Sequence, residues 1–218
     1  MKKLIVTLKQ HTPLIHFQHE QEGATLRASE VKPRLDRFII TSLGGGKYDI
    51  GKELIKKEHP ELLIGKGEHP ALDYKMHIKN DEQGEVREYL LASSLSNKDI
   101  SKLKKINAKV LAKTPYFAQE KENGEIVNGE REWDAIEKKG ILFIGDIEIT
   151  IKTLKEELIT EIQRSIQSFF IVNNFGTRQS KGFGCFEVIK TEVEENSIKK
   201  TISIDKQIIE KILTESFE

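Results

Sequence analysis

Ile141-Leu142-Phe143-Ile144-Gly145-Asp146-Ile147-Glu148-Ile149-Thr150-Ile151 is the stretch on which the fold turns. Isoleucine alternates with polar residues along its second half, the pattern of a half-buried strand. Residues 155–172 follow as a helix, with Leu158, Ile162, Ile166 and Phe169 on one face. A glycine-rich segment then leads into a strand at residues 186–190, so this half reads β-α-β. The N-terminal half repeats the order. Residues 3–9 read as a strand, which His11-Thr12-Pro13 ends because proline has no N–H for a ladder. Ser29 is a candidate N-cap for a helix carrying Val31, Leu35, Phe38, Ile39 and Leu43 on one face, with Pro33 expected in its first turn and Gly44-Gly45-Gly46 as its stop. Residues 47–71 are mixed, with His59-Pro60 and His69-Pro70 reading as loop corners, and residues 72–79 alternate as a strand. The order β-α-β-β-α-β predicts an α+β fold. It is a ferredoxin-like, RRM-like antiparallel sheet with helices on one face and a long insertion, about 80–139, between the second and third strands. In the insertion, Asn123-Gly124 and Asn128-Gly129 signal a hairpin. Residues 205–213 predict a C-terminal helix. No repeat or linker demands a boundary, so residues 1–218 read as a single domain.

The chain has 218 residues, 37% of them hydrophobic and 32% charged, which is enough apolar material for a sizeable core. The longest apolar runs, 141–144 and 169–172, are far short of the ~20 residues that span a bilayer. No secretory signal is recognisable at the N-terminus. The single cysteine, Cys185, excludes an internal disulfide framework and a cysteine-based zinc site, and a cytoplasmic protein is expected. Basic and acidic residues balance at 35 each. The balance is uneven along the chain. Residues 24–47 hold Arg27, Lys32, Arg34, Arg37 and Lys47 against Glu30 and Asp36. Residues 173–190 hold Arg178, Lys181 and Lys190 against Glu187. Residues 118–137 hold seven acids against Lys121 and Arg131. Two basic segments therefore flank an acidic one.

Gly176-Thr177-Arg178-Gln179-Ser180-Lys181-Gly182-Phe183-Gly184 is the strongest chemical feature. Glycines permit close backbone approach to a ligand, Arg178 and Lys181 supply cations, and Thr177 and Ser180 supply hydroxyls. The segment joins a helix to a strand, the reverse of a Walker loop. Spacing alone equally allows a turn that merely returns the helix to the sheet. Lys32, Arg34 and Arg37 lie near a helix start, where cations oppose the helix dipole unless an anion offsets them. A solvated charged face balanced by Asp36 is the alternative. No cofactor motif is visible, and His16 and His19 lack the further ligands of a metal site.

Taken together, these segments resemble the RAMP superfamily, the ferredoxin-like proteins of CRISPR effector complexes. His11-Thr12-Pro13-Leu14 is similar to the Thr-Pro-Leu that follows the first strand in many members. Ser29-Glu30-Val31-Lys32-Pro33-Arg34-Leu35 resembles their helix-one motif, and residues 176–184 resemble their terminal glycine-rich loop. The likeness is greatest to type III effector subunits, whose helix one continues much as Arg37-Phe38 does. It departs from them at residues 15–23, where there is no aspartate for target cleavage, and at Pro33, where relatives have glycine.

The resemblance implies a subunit that binds guide (CRISPR) RNA within a type III-like effector ribonucleoprotein in antiviral defence. Its partners are RNA and other CRISPR effector subunits, with no membrane and no cofactor. RNA-binding candidates are Arg27, Ser29, Lys32, Arg34 and Arg37, with Gly176, Thr177, Arg178, Gln179, Ser180, Lys181, Gly182 and Gly184. Phosphate contacts of this kind fix position rather than sequence. A binding role is expected rather than an enzymatic one. The alternatives are a metal-independent endoribonuclease using His16 or His19 as general acid or base, and a RAMP-fold adaptor that binds only protein.

Overall fold

The computed structural model describes residues 2–15, 25–65, 70–90, 109–110, 126–127, 130–131, 139–195 and 198–202. Strand β1 (Lys2–Gln10) sends Leu4, Val6 and Leu8 to one face, as alternation requires. It lies at the centre of a five-stranded sheet. On one side it pairs antiparallel with β11 (Asp146–Thr153), which pairs in turn with β5 (Lys75–Asn80). On the other side it pairs antiparallel with β12 (Phe186–Glu195), which pairs with β13 (Ile198–Ile202). The sheet order β13-β12-β1-β11-β5 contains the four strands of the expected ferredoxin-like sheet, each antiparallel to its neighbours. Strand β13 is an addition, so residues 186–190 open a hairpin rather than end the fold.

Helices α1 (Ala28–Leu43) and α3 (Glu156–Val172) cover one face of this sheet. Val31, Leu35 and Ile39 of α1 and Leu158, Ile162, Ile166 and Phe169 of α3 join Leu4, Val6, Leu8, Ile147, Ile149 and Ile151 in a common core. The opposite face carries crossed charges, including Lys3–Glu194 at 3.2 Å, Lys190–Glu192 at 3.1 Å and Lys79–Glu148 at 3.8 Å. Its register places Ile5, Thr7, His77 and Thr150 at the centre, with no Phe, Tyr or Trp. The described strands therefore supply no aromatic platform on that face of the kind with which sheet-face RNA readers stack bases.

Several expectations need correction. The stretch 141–151 is not one strand. Residues Lys139–Ile144 form β10, and the chain turns at Gly145 (φ 151) before β11. Beside the break the Phe143 ring packs so tightly on Gly84 that a Cβ there would lie 1.9 Å from it. Beyond the break, β10 pairs with β6 (Glu85–Leu90) and with the short β2 (Leu14–Ile15), while β7 (Lys109–Val110) pairs with β6. The insertion thus begins as an extension of the β5/β11 hairpin. Gln10 joins the two sheets. Its buried amide donates to the carbonyls of Thr12 (2.9 Å) and Ile141 (2.7 Å) and accepts from the Phe143 N–H (3.0 Å), leaving the group well satisfied.

Residues 47–71 hold regular elements. They contain α2 (Tyr48–Glu58), a turn of 3-10 helix at Pro60–Leu62, and a two-stranded pairing of β3 (Leu63–Ile64) with β4 (Ala71–Leu72). Gly51 and Ile55 are the buried residues of α2. Its backbone comes close to α1 at Gly51, where a Cβ would meet the Ile40 carbonyl at 1.8 Å, and its Tyr48 ring faces the Arg37 guanidinium. Arg27, not Ser29, occupies the N-cap of α1, and it makes no side-chain cap. Pro33 therefore falls in the second turn, where it has no N–H to donate to the Ser29 carbonyl, a cost that the first turn would have spared. In the insertion, β8 (Ile126–Val127) pairs with β9 (Glu130–Arg131) across residues 128–129, the hairpin signalled by Asn-Gly. The expected helix at 205–213, and His16 and His19, lie outside the described residues.

One polar cluster fixes α1 to the segment before β5. Asp36, 5% exposed, accepts from the Leu72 N–H at 3.2 Å and from Lys32 Nζ at 2.8 Å. Lys32 also donates to the Leu72 carbonyl at 2.9 Å and sits 4.0 Å from the Tyr74 ring centroid. Burial, with the Asp36 carboxylate alongside, pushes the Tyr74 phenol far above its ordinary pKa and keeps it neutral. Asp36→Ala is expected to destabilise the chain by about 2–4 kcal/mol, because it leaves the buried Leu72 N–H without its acceptor and Lys32 without its ion pair. Urea unfolding checks this, and an unchanged midpoint would count against the cluster.

Candidate nucleic-acid interface

The two basic segments meet at one end of the helical layer. Helix α3 ends at Val172, and the chain passes through Asn173 and Asn174 into the glycine-rich loop. Phe175, fully buried, anchors the loop in an aromatic cluster with Phe169, Phe170 and Phe186 at ring separations of 5.5–5.9 Å. From α1, Arg34 reaches across to this junction. Its Nη1 donates to the Asn174 carbonyl at 2.6 Å, its Nη2 to Asn173 Oδ1 at 3.0 Å, and its guanidinium lies 4.9 Å from the centre of the Phe175 ring. Partial burial lowers the Arg34 pKa from its ordinary value, and the Glu30 carboxylate opposes that effect.

The loop then folds back on the residues after β1. The Thr177 N–H donates to the Ile15 carbonyl at 2.7 Å, and the Gly184 N–H to the Pro13 carbonyl at 2.9 Å. The Thr12 hydroxyl donates to the Gly182 carbonyl at 2.6 Å and accepts from the Cys185 N–H at 2.9 Å. Two glycines are dictated by this closeness. A Cβ on Gly176 would lie 2.4 Å from the Ile15 carbonyl oxygen, and one on Gly184 would lie 1.9 Å from that of Phe175. Both residues also have positive φ, 76° and 68°. Arg178 adopts the left-handed region at φ 58 and ψ 32 without being glycine, and residues Gln179–Lys181 make one turn of 3-10 helix. The Gln179 side chain donates to the Gly176 carbonyl at 2.6 Å, and Asn174 Nδ2 donates to the Gln179 carbonyl at 3.0 Å. Ser180, Lys181 and Gly182 form the exposed tip.

The sequence-expected cations divide into two groups. Lys32 and Arg34 have protein partners, in the Asp36 cluster and at the Asn173–Asn174 junction. Arg37 is exposed with its guanidinium 4.6 Å from the centre of the Tyr48 ring, and Ser29 is exposed in the first turn. Arg27 Nη2, Arg178 Nη1 and Thr177 Oγ1 are buried polar atoms with no hydrogen-bond partner. An unpaired buried donor costs about 1–3 kcal/mol, so these atoms mark where an anionic ligand would bring a gain. Thr12, Asn173 and Asn174 were missed as contributors. Only the Thr-Pro-Leu likeness touched one of them. Cys185 is half-buried, and burial raises its thiol pKa. Among the described residues no group of three His, Cys, Asp or Glu could hold a metal ion, and no helix is long and apolar enough to cross a membrane.

Solved structures resemble this fold. A chain of the type III-B Cmr-beta complex, determined by cryo-EM bound to cognate target RNA, is 14% identical with a TM-score of 0.46, covering 88% of this chain and 60% of that one. The apo crystal structure of Cmr1 from Pyrococcus furiosus is 12% identical with a TM-score of 0.45, covering 97% of this chain and 53% of that one. A CRISPR protein from Archaeoglobus fulgidus is 12% identical with a TM-score of 0.36, covering 89% of this chain and 65% of that one. The chain thus spans less than two thirds of the length of each. No curated protein matches it. The family model described as the Cmr1 N-terminal domain matches residues 1–217, and the chain belongs to that family of CRISPR type III RAMP-like proteins.

Proposed function

We propose that the chain is an RNA-binding subunit of a type III CRISPR effector ribonucleoprotein, holding guide RNA by its backbone in the cytoplasm beside other effector subunits. Membership of the Cmr1 N-terminal domain family supports the place in the complex. The observation that carries RNA binding is the set of partnerless buried donors, Arg27 Nη2, Arg178 Nη1 and Thr177 Oγ1, in the two basic segments. Phosphate oxygens would satisfy them, and charge-assisted hydrogen bonds of this kind are the strong ones. In this arrangement Arg27, Ser29 and Arg37 meet the RNA from α1. Thr177, Arg178, Gln179, Ser180 and Lys181 meet it from the loop, with Gly176, Gly182 and Gly184 allowing the close approach. Lys32 and Arg34 add positive charge while tied to protein. The whole chain acts as one domain, and the acidic insertion, which would repel RNA, faces protein.

Sequencing the RNA that co-purifies with the chain tests the proposal. Enrichment of CRISPR RNA is expected, and recovery of no RNA above a control protein would contradict it.

A further inference from the structure

We propose that Thr12 and Arg34 are positioning residues for RNA binding, clamping the glycine-rich loop to the end of β1 and to α1 so that Arg178 and Thr177 face the polyanion in one fixed geometry. This inference rests on the function proposed above and assigns these two residues a role without direct RNA contact.

Arg34 is committed at three points. Its two terminal nitrogens hold the Asn174 carbonyl and Asn173 Oδ1, and its plane lies over Phe175. The acceptors are themselves fixed, for Asn173 Nδ2 donates to the Phe169 carbonyl at 2.9 Å and Asn174 Nδ2 donates to the Gln179 carbonyl at 3.0 Å. A continuous set of bonds thus runs from α1 to the backbone next to Arg178. Lysine in place of Arg34 keeps the charge but has no planar fork to hold two acceptors and stack on a ring. Thr12 secures the other side of the loop. Its one hydroxyl is both donor, to the Gly182 carbonyl, and acceptor, from the Cys185 N–H. Valine has the same shape and neither function. Between the two clamps stands Arg178 in the left-handed region, a conformation that a non-glycine residue keeps only where its surroundings hold it.

The salt dependence of binding separates a positioning residue from a phosphate contact. For single strands, log K falls against log salt with a slope of about 0.7 per neutralised phosphate. The full chain and its R34K, T12V, T12S, N173A and R178A variants are titrated with a labelled single-stranded RNA over a range of salt. Amide hydrogen exchange of residues 175–185 is followed in the absence of RNA. R34K, T12V and N173A are expected to exchange faster at Thr177 and Gly184 and to bind RNA about tenfold more weakly, the effect of losing roughly one good hydrogen bond, with the salt slope unchanged. T12S keeps the hydroxyl and is expected to restore both readouts. R178A is expected to lower the slope itself. Unchanged exchange in R34K, N173A and T12V would overturn the clamps whether or not RNA binds. A slope reduced in R34K as much as in R178A would make Arg34 a phosphate contact and overturn its positioning role. Faster exchange in the variants together with no RNA binding by the unmodified chain would overturn the RNA role while leaving the loop clamps standing.

Discussion

Gly184→Ala is expected to destabilise the chain by roughly 3 kcal/mol or more and to remove RNA binding. Two costs combine. The residue has φ +68°, where a Cβ costs about 1–2 kcal/mol. The new methyl would also lie 1.9 Å from the Phe175 carbonyl oxygen and 2.8 Å from its carbonyl carbon, and these are backbone atoms that cannot turn aside. Relief requires the loop to part from Phe175, which breaks the bond from the Phe175 N–H to the Gly184 carbonyl and disturbs a fully buried ring. Gly182→Ala is the internal comparison. It has φ +81° but nothing within 4 Å of its Cβ, so only the conformational cost of about 1–2 kcal/mol applies. Urea unfolding of the two variants checks the difference. Equal stabilities would show that the loop is not packed as described.

The second large effect is expected from removing together the two guanidinium groups that each carry an unpartnered nitrogen. Arg27→Ala with Arg178→Ala should weaken RNA binding by about 100-fold or more, since each loses a charge-assisted contact of ~1.5–3 kcal/mol. The slope of log K against log salt should fall by about 1.4, two phosphates at ~0.7 each. Stability should hold or rise slightly, because each change removes a buried polar atom that has no protein partner. Loss of affinity with stability retained is the signature of a ligand contact. Loss of stability with affinity retained would place these arginines among the structural residues instead.

Much of the core was legible because it obeys simple periods. Val31, Leu35 and Ile39 follow the helical spacing, Leu4, Val6 and Leu8 the strand spacing, and each set is buried where the pattern puts it. The ferredoxin-like strand order followed from those elements in sequence. Helix α2 is harder to read because one of its two buried positions is Gly51, where the backbone itself meets α1 and no side chain marks the contact. The split of residues 141–151 escaped because Ile141 and Ile151 look alike locally, while the strands that pair with them, β2 and β6 for one and β1 and β5 for the other, are distant in sequence. At the candidate interface, composition located the cations but could not sort them. Arg34 and Arg178 are equivalent as charges in sequence. One has asparagines from a segment 139–140 residues away as partners, and the other has a nitrogen with none.

The most direct test of the RNA-binding surface is ultraviolet cross-linking of bound RNA to the intact chain, with the linked peptides identified by mass spectrometry. Cross-links are predicted in peptides carrying residues 27–37 and 176–184. Cross-links concentrated instead on the charged outer face of the sheet, at Lys3, Lys75, Lys79 and Lys190, would contradict the account.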